Sequence, residues 1–171
     1  MVIALSSMPH APTIPINTHT HIDHVLGCAF VQKEFGIQWL MHSEALPTLN
    51  EAPVFASLFG INNMEMSKPD NFLEDGQELV FDSTTIKILY TPGHAPGSIC
   101  LYIPAERMVI TGDVLFNGSI GRTDLTGGNF DVLMESIHTK LLTLPDDTIV
   151  YPGHGPATTI GDERTGNAYL G

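Results

Sequence analysis

The sequence predicts a mixed α/β (α+β) fold in one domain that spans residues 1–171. Short runs rich in β-branched residues, separated by turn residues, occupy residues 78–112 and are typical of sheet strands. Apolar residues at helical spacing follow over residues 130–143 and predict an amphipathic helix. A chain of 171 residues with 43% hydrophobic residues can bury one ordinary core and is short for two domains.

The N-terminal part alternates predicted strands and helices. The apolar run 14–18 predicts a short strand that leads into a histidine-rich loop. Asp23 is placed to cap a following helix that ends at Gly36. The run IQWLMH (37–42) predicts a buried strand, and the next segment, SEALPTL, begins with a serine cap and is cut short by Pro47.

The rest of the chain predicts a loop, a sheet and one long helix. Residues 51–76 carry prolines and glycines without sustained periodicity, which indicates a loop with one or two helical turns that can lie over a site. The runs ELVF, TTIKILYT, SICLYI and RMVITGD predict four strands of one sheet. A helix follows over residues 130–143 and ends before Pro145, and TIVYPGHG predicts a last strand with a short tail after it.

Charge and composition exclude several classes of partner. The chain has 7 Lys and Arg residues against 19 Asp and Glu residues, a formal net charge of -12. This balance argues against binding to nucleic acid or to an anionic membrane surface. We therefore expect no nucleic-acid partner and no membrane partner.

Cysteine usage and the first residues point to a cytoplasmic protein. Cys28 and Cys100 each lie in an apolar context and not in a CxxC pair, which favours reduced core residues over a disulfide. The opening residues have no basic region and no long apolar run, so they do not resemble a secretory signal. The expected location is the cytoplasm.

Metal-ligating side chains are concentrated in the stretch NTHTHIDH, residues 17–24. In an extended segment residues i and i+2 point the same way, so His19 and His21 can hold one metal ion together. Asp23 and His24 follow on the turn into the predicted helix and can face a second ion nearby.

Three further candidates share one context, because each lies in a loop directly after a predicted strand: His94 in TPGH, Asp113 in TGD and His154 in PGHG. If these strands are neighbours, their ends meet at one edge of the sheet, where loops carry function. Imidazole and carboxylate ligands suit Zn(II) and Fe(II), and the lack of cysteine among them favours an open, catalytic site. A carboxylate such as Asp113 can bridge two ions.

These motifs resemble the metallo-β-lactamase superfamily, from THTHIDH through TPGH and GD to PGHG. The resemblance implies an αββα sandwich and a single metallo-β-lactamase-like domain. The strings GDVLFNGSIGRTD and YPGHGPATTIGDER are similar to the glyoxalase II-like (hydroxyacylglutathione hydrolase-like) branch. That branch hydrolyses glutathione thioesters such as S-lactoylglutathione, so the resemblance implies a small-molecule thioester substrate.

The resemblance also implies a role for each candidate. The first metal would be held by His19, His21 and His94, and the second by Asp23, His24 and His154, with Asp113 bridging the two. Two Zn(II) ions are the expected cofactors, with Fe(II) or Mn(II) as alternatives. A metal-bridging hydroxide would attack the thioester carbonyl, Asp23 would orient it as a catalytic residue, and Arg122 would bind a substrate carboxylate.

The sequence departs from the family pattern at both ends. Only 18 residues precede His19, so part of the N-terminal sheet is expected to be missing, and a second chain could cover the exposed edge in a homodimer. Only 17 residues follow His154, so the C-terminal helical domain of the longer glyoxalase II enzymes is not expected.

Two other functions stay open at this point. The first is a mononuclear iron persulfide dioxygenase of the same fold, which would use His19, His94 and Asp113 as ligands to one Fe(II). The second is a truncated, non-catalytic protein that binds metal or a partner without turnover.

Overall fold

The computed structural model describes residues 13–171 and arranges them in four layers, with two sheets packed face to face between two sets of helices. This order of layers is the αββα sandwich that the motifs predict. The four strands predicted between residues 78 and 112, and the last strand after the long helix, are confirmed.

The larger sheet has six strands: β3 (Glu78–Phe81), β4 (Thr84–Tyr90), β5 (Ile99–Ile103), β6 (Met108–Gly112), β9 (Ile149–Pro152) and β10 (Thr158–Thr159). Their order across the sheet is β10-β9-β6-β5-β4-β3. Neighbouring strands are antiparallel except for β6 and β9, which are parallel. A hairpin of two short strands, β7 (Leu115–Phe116) and β8 (Ser119–Ile120), lies in the connection between β6 and β9.

The smaller sheet consists of β1 (Leu40–His42) and β2 (Asn71–Leu73), which pair in parallel. Ile16 forms a single parallel bridge to Leu40 on the other side of β1. The predicted strand over residues 14–18 is therefore reduced to one bridge in the described part of the chain.

Helices cover the outer faces of both sheets. On the side of the smaller sheet lie α1 (Ile22–Val25), α2 (Cys28–Phe35) and α3 (Leu46–Leu58), and on the other side lie α4 (Phe130–Ser136) and α5 (Ile160–Gly166). A π-helical turn, Ile137–Leu141, extends α4. Short 3-10 turns occupy Ser43–Ala45 and Pro104–Glu106.

Alternation along the strands explains the layers. Successive strand residues point to opposite faces, so Ile88 packs between the sheets while Leu89 packs under α4. In β1, Leu40 faces the larger sheet and Met41 faces the helices α1 to α3. Each of these side chains is at least nine-tenths buried, so both faces of each sheet contribute to the core.

Two predictions about local structure are wrong. Pro47 does not end a helix: it lies in the first turn of α3, where its missing N–H has no helical partner to lose, and the helix continues through Pro53 to Leu58. Asp23 does not cap a helix, because α1 begins one residue earlier and Asp23 lies within its first turn. The tail after His154, for which no element was predicted, contains β10 and α5.

Polar side chains cap the N-termini of α4 and α5, the two helices on the outer face of the larger sheet. The Asn129 side chain accepts a hydrogen bond from the Val132 N–H at the start of α4. Thr159 accepts one from the Asp162 N–H at the start of α5. Both are N-caps of the kind that stabilise a helix by about 1 kcal/mol. Among the helices described over residues 13–171, none is long and apolar enough to cross a membrane.

The inter-sheet core yields a stability prediction. Replacing Ile88, which is fully buried, by alanine leaves a cavity between the sheets and should lower the free energy of unfolding by about 2–5 kcal/mol. Val80→Ala on the neighbouring strand is the control, because that side chain is 68% exposed and its loss should cost less than about 0.5 kcal/mol. Urea denaturation measures both, and equal effects would contradict the two-sheet packing.

Candidate metal centre

The side chain of Asn17 holds the histidine loop in place through hydrogen bonds. Its side-chain oxygen, Oδ1, accepts hydrogen bonds from the Trp39 indole N–H at 2.6 Å and from the Cys28 thiol at 3.0 Å. Its amide nitrogen donates to the main-chain oxygen of His24 at 2.8 Å. Because Asn17 and Trp39 are both buried, this network fixes the loop relative to β1 and α2.

The other side of the loop is attached to the larger sheet. The Ile99 N–H donates to the main-chain oxygen of Thr18 at 2.8 Å, which joins the loop to β5. Gly112, at the end of β6, approaches the Thr18 side chain so closely that an added Cβ would lie 2.4 Å from Thr18 Oγ1. Its φ of +50° also favours glycine, so this contact between loop and sheet needs a residue without a side chain.

The structure brings all seven candidate ligands to one place. They form three overlapping groups whose ligand atoms lie within 4.8 Å of one another in each group. The groups are His19, His21 and His94; His19, His24 and Asp113; and Asp23, His24 and His154. Individual contacts are short: His94 Nε2 lies 2.9 Å from His21 Nδ1, and His154 Nε2 lies 3.0 Å from Asp23 Oδ2.

The Asp113 carboxylate faces imidazoles of both halves of the cluster. Its Oδ1 lies 3.5 Å from His24 Nε2, and its Oδ2 lies 3.8 Å from His94 Nε2 and 3.6 Å from His154 Nε2. One carboxylate with two oxygens so placed can serve two ions at once.

Buried atoms without partners test whether the cluster fits a metal. Within residues 13–171, five buried side-chain atoms have no hydrogen-bond partner: Ser67 Oγ, Thr148 Oγ1 and three nitrogen or carboxylate atoms, His19 Nε2, His24 Nε2 and Asp113 Oδ1. Leaving such atoms unpaired is costly, and most buried polar atoms in folded proteins are satisfied. The histidine and aspartate atoms all belong to the cluster and are good ligand atoms for a divalent cation, so the residues present fit a metal centre.

Burial also sets the protonation of the histidines. Desolvation, together with the neighbouring imidazoles, lowers the pKa of His21 to about 4 and holds the pKa of His19 far below its ordinary value. Desolvation lowers the pKa of His94 as well. These imidazoles are therefore neutral at pH 7, and their lone pairs are available to a metal.

The tautomer of His94 follows from its neighbour. His94 Nδ1 lies 2.8 Å from the main-chain oxygen of Arg122, which can only accept, so Nδ1 carries the proton and donates it. Nε2, the atom beside His21 and Asp113, is then free to bind a metal.

A cleft of about 360 Å³ opens beside the cluster and is lined by His21, Asp23, His94 and Asp113. One side of this cleft is formed by α3, through Thr48, Glu51, Ala52, Phe55 and Phe59. Sequence reasoning missed these residues because the prolines suggested a loop. Their helical spacing was the signal that could have found them.

Arg122 lines the same cleft, but its guanidinium is already engaged. Nε lies 2.7 Å from Asp124 Oδ1 and Nη2 lies 2.8 Å from Asp124 Oδ2, which makes a bidentate ion pair. Both side chains are more than half exposed, so water screens the pair and its energy is small. A substrate carboxylate would have to share or replace Asp124.

Comparison with known proteins gives a family match and close relatives. The model of the metallo-beta-lactamase superfamily matches residues 11–154. The hydroxyacylglutathione hydrolase GloC of Haemophilus influenzae is 40% identical over 155 residues, which cover 90% of this chain and 73% of that protein. The "Probable metallo-hydrolase YqgX" of Bacillus subtilis is 41% identical over 162 residues, which cover 93% of this chain and 76% of that protein.

Solved structures show the same fold. The di-iron-bound form of TTHA1623 superposes with a TM-score of 0.91 at 34% identity, covering 99% of this chain and 83% of that one. The B3 metallo-beta-lactamase BLEG-1 gives a TM-score of 0.85 at 40% identity, covering 93% of this chain and 77% of that one.

The close approach of Gly153 to the cluster makes it a test of the geometry. A Cβ at this position would lie 2.2 Å from Asp113 Oδ1 and 3.0 Å from His24 Cε1, so Gly153→Ala must displace ligand side chains. We expect metal affinity to fall by about 10–100-fold, as measured by competition with a chromogenic chelator. Gly166→Ala is the control, since its Cβ would meet nothing within 4 Å. Unchanged affinity in Gly153→Ala would contradict the placement of Asp113.

Proposed function

We propose that this chain, a metallo-hydrolase that belongs to the metallo-beta-lactamase superfamily, cleaves thioesters, with glutathione thioesters as the first candidates. The observation that carries the proposal is the convergence of seven ligating side chains, three of them with unpartnered buried atoms, beside one open cleft that four of them line. An open cleft beside a metal centre is what hydrolysis requires, since substrate must reach the metal.

The grouping of the ligands supports two metal ions. His19, His21 and His94 form one set of three, and Asp23, His24 and His154 form another. Asp113 faces both sets and is proposed as the shared ligand. The donor set of imidazole and carboxylate suits zinc, and iron is the alternative because the similar TTHA1623 structure is di-iron-bound.

Two bound divalent ions supply Lewis acidity, which activates water at neutral pH and stabilises negative charge on a carbonyl oxygen. The chain's own residues do the positioning. Asp23 is half exposed at the mouth of the cleft, with Oδ2 beside His154 and His24, so it can accept a hydrogen bond from the attacking water. The carbonyl of Arg122 keeps the His94 ring oriented.

A thioester suits this site because its leaving group needs no acid. The thiol product has a pKa of about 8.5, so it departs as a thiolate without a proton donor in the cleft. Among the residues that the structure describes, the titratable side chains lining the cleft are four candidate ligands (His21, Asp23, His94 and Asp113), Glu51 and Arg122. The proposed reaction needs none of them as a general acid. The name of the Haemophilus relative, a hydroxyacylglutathione hydrolase, supports the same substrate class.

Arg122 is proposed to bind a carboxylate of the substrate. It lies on the cleft wall, and a guanidinium can hold a carboxylate through two parallel hydrogen bonds. Asp124 occupies that position in the structure, so an anionic substrate would exchange with Asp124.

The geometry gives less support to a one-iron dioxygenase. That function would use His19, His94 and Asp113 and would leave Asp23, His24 and His154 without a role. These last three residues lie within ligand distance of one another, and His24 Nε2 is buried without a hydrogen bond. Two occupied sets account for all of these atoms.

Metal content distinguishes these functions before any substrate is chosen. We expect about two ions per chain, measured by mass spectrometry on protein purified without chelators, because two sets of ligands are present. Removal of the ions by a chelator should abolish hydrolysis, and added zinc, iron or manganese should restore it to different extents. One iron per chain together with oxygen consumption would overturn the proposal.

Asp113 offers the sharpest test by mutation. Asp113→Asn should lower kcat/KM for S-lactoylglutathione by at least about a hundredfold, since a shared ligand affects both ions and even residues outside the ligand shell are worth 10–100-fold. Asp82→Asn is the control, because Asp82 is exposed in the turn between β3 and β4. Hydrolysis is followed by release of free thiol, and an Asp113→Asn enzyme with full activity would contradict the assignment.

A further inference from the structure

One side of the cleft is apolar although it faces solvent. Phe55 of α3 and Phe59, the residue directly after the helix, form this apolar wall together with Leu125 of the loop before α4. Phe59 is 73% exposed, and Phe55 and Leu125 are each 38% exposed. Exposed aromatic side chains inside a cleft that also holds polar, charged groups are typical of a ligand site.

Helical spacing separates the apolar wall from the core. Leu49, Ala52 and Ala56 are buried against β1, so α3 is already held by its inner face. Phe55 and Phe59 are four residues apart and lie on one stripe of the helix that faces the cleft. The side chains of Phe55 and Phe59 are therefore not needed to hold the helix in place.

Neighbouring side chains show that exposure alone does not define the wall. Leu58 is 74% exposed, almost the same as Phe59, but it does not belong to the cleft lining found among the described residues. The two positions therefore form a matched pair that differs in direction and not in exposure.

The charges around the cleft indicate what the wall would bind. Glu51 is the acidic side chain nearest in sequence to the wall, and the Arg122 guanidinium is paired with Asp124. A negatively charged group beside Phe55 and Phe59 would therefore meet a carboxylate and no cation from α3. A neutral, apolar group gains from contact with the rings without any such penalty.

We propose that the apolar wall binds a neutral, apolar group of the substrate next to the scissile thioester, and that Phe59 determines the preference for its size. This inference rests on the proposed function, because four of the candidate metal ligands line the same cleft. In the reaction, water adds to the carbonyl, the C–S bond breaks, and a carboxylate and a thiol are released with one proton. Either the acyl group or the thiol could carry the apolar part.

A binding experiment tests the wall without requiring turnover. Acetohydroxamate and octanohydroxamate both chelate metals and differ only in the apolar tail, so their affinities for the metal-loaded protein are compared by isothermal titration calorimetry. We expect octanohydroxamate to bind about tenfold more tightly than acetohydroxamate, and Phe59→Ser to remove most of that difference. Leu58→Ser should retain it, and Phe59→Leu should restore part of it.

Kinetics with two substrate series then assigns the apolar part. In the first series the acyl group grows from acetyl to octanoyl on N-acetylcysteamine, and in the second the thiol grows on a constant acetyl group. A Phe59-dependent rise in kcat/KM in the first series places the acyl group on the wall, and one in the second series places the thiol there. A tail preference that is unchanged in Phe59→Ser, or lost equally in Leu58→Ser, overturns the inference.

The two experiments separate this inference from the proposed function. Phe59-dependent binding of octanohydroxamate, with no hydrolysis of any thioester, would support the wall and refute the thioester substrate. Hydrolysis of both series with no dependence on Phe59 would do the reverse. Circular dichroism of each variant checks that the fold is retained, which the high exposure of both positions leads us to expect.

Discussion

The rest of this structure depends on one constraint: a crowded group of buried ligand atoms needs bonding partners. Seven imidazole and carboxylate side chains meet at one end of the sandwich, and several of their polar atoms are buried without a hydrogen bond. Desolvation keeps the most buried imidazoles neutral, so proton binding does not relieve the crowding at pH 7. A divalent cation satisfies these atoms and turns an unfavourable cluster into a stabilising one.

The fold delivers the ligands through contacts that leave little freedom. β6 and β9 are parallel neighbours, and the Gly153 N–H donates to the main-chain oxygen of Gly112 at 2.8 Å. This hydrogen bond sets the loops with Asp113 and His154 side by side. The Asn17 network fixes the histidine loop from the opposite direction, through Trp39 and Cys28. The histidine loop and the loops after β6 and β9 are therefore each held in place by hydrogen bonds. A metal centre requires ligands that are oriented in this way.

The helix α3 belongs both to the core and to the lining of the cleft. Its inner face fills the core above β1, while Phe55 and Phe59 line the cleft. One helix therefore contributes both to stability and to the shape of the cleft. His21, Asp23, His94 and Asp113 line one part of the cleft, and Phe55 and Phe59 present apolar surface to another part of it.

The sequence by itself determined the class of fold and the set of candidate ligands, while the tertiary structure decided how they are arranged. The strands after Glu78 could be predicted because alternation and turn residues are local signals, and the crowded histidines because their spacing is local too. For α3, the helical spacing of its residues did not outweigh the helix-breaking signals of Pro47 and Pro53. The role of Asn17 and the position of the apolar wall beside the cleft leave no local signal in the sequence. Each depends on contacts between residues distant in the chain: packing against β1 overrides the low helix propensity of proline, and Asn17 acquires its partners only when β1 and α2 come together.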